Sequence, residues 1–201
     1  MFFGIQNAAQ SSFLILSTEQ IWIVGDSIVF WAHRRAERTG CADMDLGTVI
    51  HWAGKRGLRL DQTNAWLESI TSGLTKPTVL VLHVGTNDIE GCSKRAMANA
   101  VNRLITSNTE TTIIWSDILE RVEYKCCSPE EQEKLDDRRR ATNRYARALA
   151  GRNGGKAIPH PDIRHKDRAL YRPDGLHLSN EGLDRFITDL KEGLSYLGSS
   201  K

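Results

Sequence analysis

Short runs of consecutive apolar residues alternate along the chain with stretches in which apolar residues recur every three or four positions. Ile21-Trp22-Ile23-Val24 reads as a strand covered on both faces, and Gly25 lets the backbone turn into Asp26-Ser27. A helix is predicted over 28–38, stopped by Gly40. Residues 46–52 suit a second strand centred on Val49 and Ile50, which empties into Ala53-Gly54-Lys55-Arg56-Gly57. Leu60, Trp66, Leu67 and Ile70 give 59–70 a helical period that ends at Gly73.

The apolar run 78–84 belongs in the middle of a parallel sheet and runs into Gly85-Thr86-Asn87-Asp88. Ala96, Ala100, Val101, Leu104 and Ile105 mark the next helix, and 111–115 the next strand, which ends in Ser116-Asp117. Residues 118–127 carry no period and are read as a loop or short irregular element. Ser128-Pro129-Glu130-Glu131 is a strong helix start, with a capping serine, proline in the first turn and glutamate three after the cap. That helix is expected to reach Ala150 and stop at Gly151. Residues 156–159 read as a short last strand, and Ser179 caps a final helix with Leu183, Phe186, Ile187, Leu190 and Leu194 on one face, ending near Tyr196.

Strands alternating with helices predict a three-layer α/β/α sandwich around a parallel sheet joined by right-handed crossovers. The length of 201 residues fits one domain. That domain is assigned to 19–197, between an N-terminal tail over 1–18 and a C-terminal tail over 198–201. Forty per cent apolar and 26% charged residues are ordinary globular composition, and a formal charge of +2 argues neither for nor against a polyanionic partner. No apolar run is long enough to span a membrane, and the first residues lack the basic region and cleavage site of a signal peptide.

The cysteines Cys41, Cys92, Cys126 and Cys127 have neither zinc-site nor disulfide-framework spacing. The expectation is therefore reduced thiols, a cytoplasmic setting and no metal. Arg138, Arg139, Arg140, Arg144, Arg147 and Arg152 make one helix basic. A solvated helix paired with its own acidic first half is preferred to a nucleic-acid patch.

Several predicted strand ends deliver polar residues to one edge of the sheet, and Asp174 and His177 add a further group. A serine nucleophile needs a general base, the base needs an orienting carboxylate, and the oxyanion needs preorganised donors. Ser27, His177 and Asp174 can fill the first three roles, and Asn87 and a backbone glycine N–H the fourth. Each has a plainer reading. Asp-Ser before a helix is commonly a cap, Asn87 and Asp174 suit turns, and His177 could pack. His83 reads as a satisfied core histidine, His51, His160 and His165 carry no motif, and Asp88 is expected to support the Asn87 loop.

Gly25-Asp26-Ser27, a glycine after the second strand, Gly85-Thr86-Asn87-Asp88 and Asp174-Gly175-Leu176-His177, in that order, resemble the four blocks of the SGNH (GDSL-type) hydrolases. The match extends over about residues 20–196. The resemblance implies a flavodoxin-like five-stranded parallel sheet, Ser27 as nucleophile, His177 as base and acid, and Asp174 as its orienter. It also implies an oxyanion hole from the Ser27 N–H, a glycine N–H and the Asn87 side chain. Gly57 is chosen over Gly54 for that glycine, because it stands 30 residues before Asn87 and heads the helix. Ile28 stands where the family often has leucine, a volume-conserving change.

The expected activity is hydrolysis of carboxylic esters, acetyl or other acyl and including lipid esters, through an acyl-enzyme and without a cofactor. A membrane surface is a candidate partner. The alternative is a catalytically weak RNA- or membrane-binding module. Residues 81–89 and 172–183 also resemble the esterase module in the first open-reading-frame protein of some vertebrate non-LTR retrotransposons. That resemblance implies a cytoplasmic domain of a longer polypeptide, with RNA contact through its other regions.

Overall fold

The computed structural model describes residues 20–74, 76–124 and 128–195. The assigned tails, Cys126, Cys127 and the helix end at Tyr196 lie outside the described residues. Five parallel strands, β1 (Gln20–Gly25), β2 (Val49–Gly54), β3 (Val79–His83), β4 (Thr112–Ser116) and β5 (Lys156–Ile158), form one sheet in the order β2-β1-β3-β4-β5. The connecting helices are α1 (Ser27–Thr39), α2 (Thr63–Thr71), α3 (Lys94–Thr106) and α4 (Pro129–Arg152), with α5 (Asn180–Ser195) closing the chain.

Side-chain alternation along the strands builds two cores. Ile21, Ile23, Val81 and Ile114 join α1 and α5 on one face, while Trp22, Val24, Leu80, Leu82 and Trp115 join α2, α3 and α4 on the other. The three-layer sandwich expected from the sequence is thus the observed fold. Because α1 and α2 lie on opposite faces, the strand order reverses between β1 and β3. A crevice therefore opens at their carboxyl ends, the usual ligand position in such sheets.

Glycine fixes how closely the layers meet at that crevice. Gly25 and Gly54 are partners in the β1–β2 ladder. A Cβ on Gly25 would lie 2.2 Å from the His83 carbonyl oxygen, and one on Gly54 would lie 2.2 Å from the Phe30 nitrogen of α1. Both strand ends therefore touch neighbouring main chain directly.

Some boundaries differ from expectation. Strand β2 begins at Val49 rather than 46 because the preceding turn carries positive φ at Met44, Asp45 and Gly47, with Met44 buried in the core. It also runs on to Gly54, which the sequence reading placed in the loop. The segment predicted as a helix over 59–70 opens with a single 3-10 turn, Leu60–Gln62, before α2. Helix α4 passes through Gly151 and ends at Arg152, where Asn153 donates back to the Leu149 and Ala150 carbonyls. A Cβ on Gly151 would meet nothing within 4 Å, so nothing there forces a stop.

Candidate active site

Ser27 is the first residue of α1. Asp26 has extended backbone and caps the helix, its Oδ1 accepting from the Ile28 N–H at 2.9 Å. The capping role that the sequence left open for Asp-Ser therefore falls to Asp26, which leaves the Ser27 hydroxyl uncommitted to the helix. The Asp26 N–H donates to the His83 carbonyl (3.2 Å) and the Lys55 N–H to the Gly25 carbonyl (2.9 Å). The turn bearing Ser27 is thereby held from both neighbouring strands.

Ser27 Oγ lies 3.1 Å from His177 Nε2, although 150 residues separate the two. His177 Nδ1 lies 2.7 Å from Asp174 Oδ2, and Asp174 Oδ1 accepts from the backbone N–H groups of Leu176 (3.0 Å) and His177 (2.9 Å). One carboxylate therefore shapes the loop and orients the ring. Burial works against ionisation of Asp174, but these bonds from His177 and Leu176 outweigh it and hold its carboxyl down at about 2. With Nδ1 facing an ionised carboxylate, the tautomer bearing hydrogen there leaves Nε2 as an acceptor toward the serine hydroxyl.

The loop after β3 brings Asn87 to the same edge. Asn87 Nδ2 donates to the Leu58 carbonyl at 3.0 Å, tying it to the chain just past Gly57. Asp88 is largely buried, and its Oδ2 accepts from the Leu60 N–H at 3.1 Å. It thus joins this loop to the one after β2, a wider role than bracing its own turn. Gly57 has φ 76° with open space about its Cα and is exposed. Gly54 is accounted for by its contact with α1.

Asp26 is fully buried. Burial pushes its carboxyl up to about 6, against the opposing pull of the Ile28 N–H, the Thr86 hydroxyl, Arg121 and His177. The Thr86 hydroxyl faces it without reaching hydrogen-bond geometry, so among the described residues Asp26 Oδ2 and Thr86 Oγ1 each lack a hydrogen-bonded partner.

Two further groups escaped the sequence reading. The segment 118–124 is irregular, as expected, but it clamps the site. Arg121 Nη2 donates to the Thr86 carbonyl (2.6 Å), its Nη1 pairs with Glu90 (3.1 Å), and the Val122 N–H donates to the Gly175 carbonyl (2.9 Å). Beneath the site, His83 Nδ1, Ser116 Oγ, His160 Nε2 and Asp189 form a chain with steps of 3.0, 2.8 and 2.8 Å. The reading of His83 as a satisfied core residue is half right, because its Nε2 has no hydrogen-bond partner among the described residues. His160 pairs with Asp189 although no motif marks either.

The basic face of α4 is matched in part by its own carboxylates and in part by neighbouring elements. Arg139 and Arg140 pair with Asp136, Arg140 also pairs with Glu133, and Arg147 pairs with Asp117. Cys41 and Cys92 are free thiols. Among the described residues, no helix is long and apolar enough to cross a membrane, and no group of three or more His, Cys, Asp or Glu could hold a metal ion.

No curated protein sequence matches the chain. Among solved structures it is similar to a member of the lipolytic G-D-S-L family from Veillonella parvula, with 18% identity, a TM-score of 0.71, and coverage of 87% of this chain and 97% of that one. A GDSL-like lipase from Bacteroides thetaiotaomicron aligns with 16% identity and a TM-score of 0.69, over 89% of each chain. A protein described as a putative platelet activating factor from Streptococcus pneumonia aligns with 24% identity and a TM-score of 0.62, over 90% of this chain and 86% of the other. These likenesses establish the fold. Residues 23–185 match the GDSL-like Lipase/Acylhydrolase family, so the serine, histidine and aspartate brought together at this sheet edge lie in a chain that belongs to that family.

Proposed function

We propose that the protein is a serine esterase that hydrolyses carboxylic esters through an acyl-enzyme on Ser27. The observation that carries this reading is the unbroken sequence of contacts from the Ser27 hydroxyl through the His177 imidazole to the Asp174 carboxylate. Ser27 Oγ attacks the ester carbonyl as His177 Nε2 takes its proton. The imidazolium returns that proton to the departing alkoxide, leaving the acyl group on Ser27. Water activated by the same nitrogen then releases the acid and restores the hydroxyl.

The tetrahedral oxyanion is stabilised in this reading by the Ser27 N–H, the Gly57 N–H and the Asn87 side-chain amide. At the first helical position the Ser27 N–H has no intrahelical acceptor, and the α1 macrodipole favours negative charge there. Asn87 uses one amide hydrogen on Leu58, so the other is available. Gly57 is favoured over Gly54 because Gly54 is explained by packing, whereas Leu58, next to Gly57, is the residue that Asn87 grips. Small acyl groups such as acetyl suit the short interstrand loops.

The test is turnover of p-nitrophenyl acetate by wild type and Ser27→Ala, with a fluorophosphonate probe for labelling. Turnover and labelling that both vanish in Ser27→Ala sustain the proposal. Equal inertness of the two proteins with no labelling overturns it in favour of a binding module. An acyl series from two to sixteen carbons then defines chain length. The resemblance of 81–89 and 172–183 to the retrotransposon module supports, as part of the same proposal, a cytoplasmic enzyme within a longer polypeptide.

A further inference from the structure

Two loops on opposite sides of the catalytic serine meet on one aromatic ring. Trp31 is four residues after Ser27 on α1, so the two side chains share a helix face roughly 6 Å apart. The Arg172 guanidinium lies 4.5 Å from the Trp31 ring centroid, and that of Arg56 lies 6.0 Å from it. Arg172 belongs to the loop that presents Asp174 and His177, since its N–H donates to the His177 carbonyl and its carbonyl accepts from the Gly175 N–H. Arg56 immediately precedes Gly57. Lys55, the next residue back, lies 4.8 Å from the Trp66 ring centroid.

No ion pair involves Arg56 or Arg172 among the described residues, as is also true of Arg38, Arg95, Arg103 and Arg152, and what sets Arg56 and Arg172 apart is that both lie over one ring beside the serine. Asp174 is engaged with His177, and Asp26 is buried as the cap of α1. Glu123, beside Gly175, is a further exposed carboxylate of this neighbourhood. Two guanidinium groups brought to one ring repel one another unless an anion joins them.

Stacking on an aromatic ring occupies the face of a guanidinium and leaves its in-plane N–H groups free. Among the described residues Arg172 bonds only through Nε, which donates to the Leu178 carbonyl at 3.0 Å, so both of its terminal nitrogens remain there. Two forks of this kind match the several acceptor oxygens of a phosphoryl group.

We propose that Arg56 and Arg172, which both lie over the Trp31 ring, bind a phosphoryl group carried by the ester substrate close to its scissile carbonyl. This rests on the esterase reading above and narrows it to phosphate-bearing esters, either free in solution or displayed as a lipid headgroup. The anion is held on the solvent side of the serine, which orients the ester and raises its local concentration by attraction.

The test compares kcat/KM for monoacetylglycerol and its 3-phosphate by pH-stat titration, in wild type, Arg56→Gln, Arg172→Gln, the double variant and the distant control Arg103→Gln. Wild type should prefer the phosphate-bearing ester by at least tenfold at low salt. That preference should fall at least tenfold in the double variant, shrink with added salt and survive in Arg103→Gln. Arg56→Gln, on an exposed loop, should by itself lower the ratio even if Arg172→Gln disturbs the neighbouring loop. Repeating the comparison with a lysophosphatidate in neutral vesicles identifies the source of the anion, and arginine dependence in either format supports the proposal. A preference below tenfold in wild type, or one equal in wild type and double variant in both formats, overturns it. Wild-type turnover of the neutral ester that does not depend on Ser27 overturns the esterase reading instead.

Discussion

The Val122 N–H donates to the Gly175 carbonyl at 2.9 Å, joining the irregular segment after β4 to the loop that carries both Asp174 and His177. Gly175 has φ 64°, and a Cβ there would lie 3.1 Å from Val122 Cβ. Gly175→Ala is therefore strained in its backbone and pressed against its clamp. It should lower stability by about 1 kcal/mol and reduce kcat on p-nitrophenyl acetate by roughly 10- to 100-fold, since small misplacements of reacting groups are costly. A thermal melt run beside the kinetics separates the two effects. Full activity in this variant would show that the clamp does not set the position of His177.

The two candidate glycines should fail in different ways. Gly57→Ala meets no atom but must hold φ 76°, so a loss of turnover with only about 1 kcal/mol of stability loss is expected. Gly54→Ala places a methyl group against the main chain of α1, so the fold itself should lose about 2 kcal/mol or more. Melting temperatures and turnover measured together distinguish them. The reverse pattern would move the oxyanion donor to Gly54.

Asn87→Ala should lower kcat by about 100- to 1,000-fold with little change in KM, as expected for a donor that acts on the transition state. Asp174→Asn should cost on the order of 10,000-fold by favouring the wrong imidazole tautomer. Because its carboxyl is held at about 2, Asp174 stays ionised above pH 4, so no inflection there in a kcat/KM profile should come from it.

The buried Asp26 should leave the fold less stable at neutral pH than in acid. With a carboxyl raised from 3.8 to about 6, the folded state keeps a proton that the unfolded state releases in that window. Stability attributable to this residue therefore falls as pH rises from 4 to 6 and stays reduced above it. Asp26→Asn retains an oxygen for the Ile28 N–H and offers an N–H toward Thr86. It should gain on the order of 1–3 kcal/mol at pH 8 and nothing below pH 4, measured by urea unfolding.

His83 works in the opposite direction. Burial, reinforced by the His160 charge, holds its imidazole well below the ordinary 6.5. Below 6.5 the unfolded state takes up a proton that the folded state refuses, so stability drops with acidification. His83→Leu should shrink the acid-side loss between pH 6.5 and 5, read from urea midpoints at each pH. An unchanged slope would remove His83 as its source.

The sequence was most legible where chemistry and local structure coincide. Ser27, Asn87, Asp174 and His177 each sit beside a glycine, a strand end or a proline, and these mark a turn from residues close in the chain. Other features depend on partners far away. Ser116 meets His160 across 44 positions and Arg121 reaches the Thr86 carbonyl across 35, so no local pattern announces either. Strand β2 was shifted because turn residues with positive φ, not hydrophobicity, decide where it begins. Helix α4 runs past Gly151 because a glycine stops a helix only when the backbone there must leave the right-handed region.

The direct backbone contacts at Gly25 and Gly54 set the height of the nucleophile without using any side chain of the surrounding wall. The exposed Arg56 can therefore be exchanged for a neutral or acidic residue while the attacking oxygen keeps its place. A scaffold of this kind separates the placement of the serine from the chemistry of the rim around it.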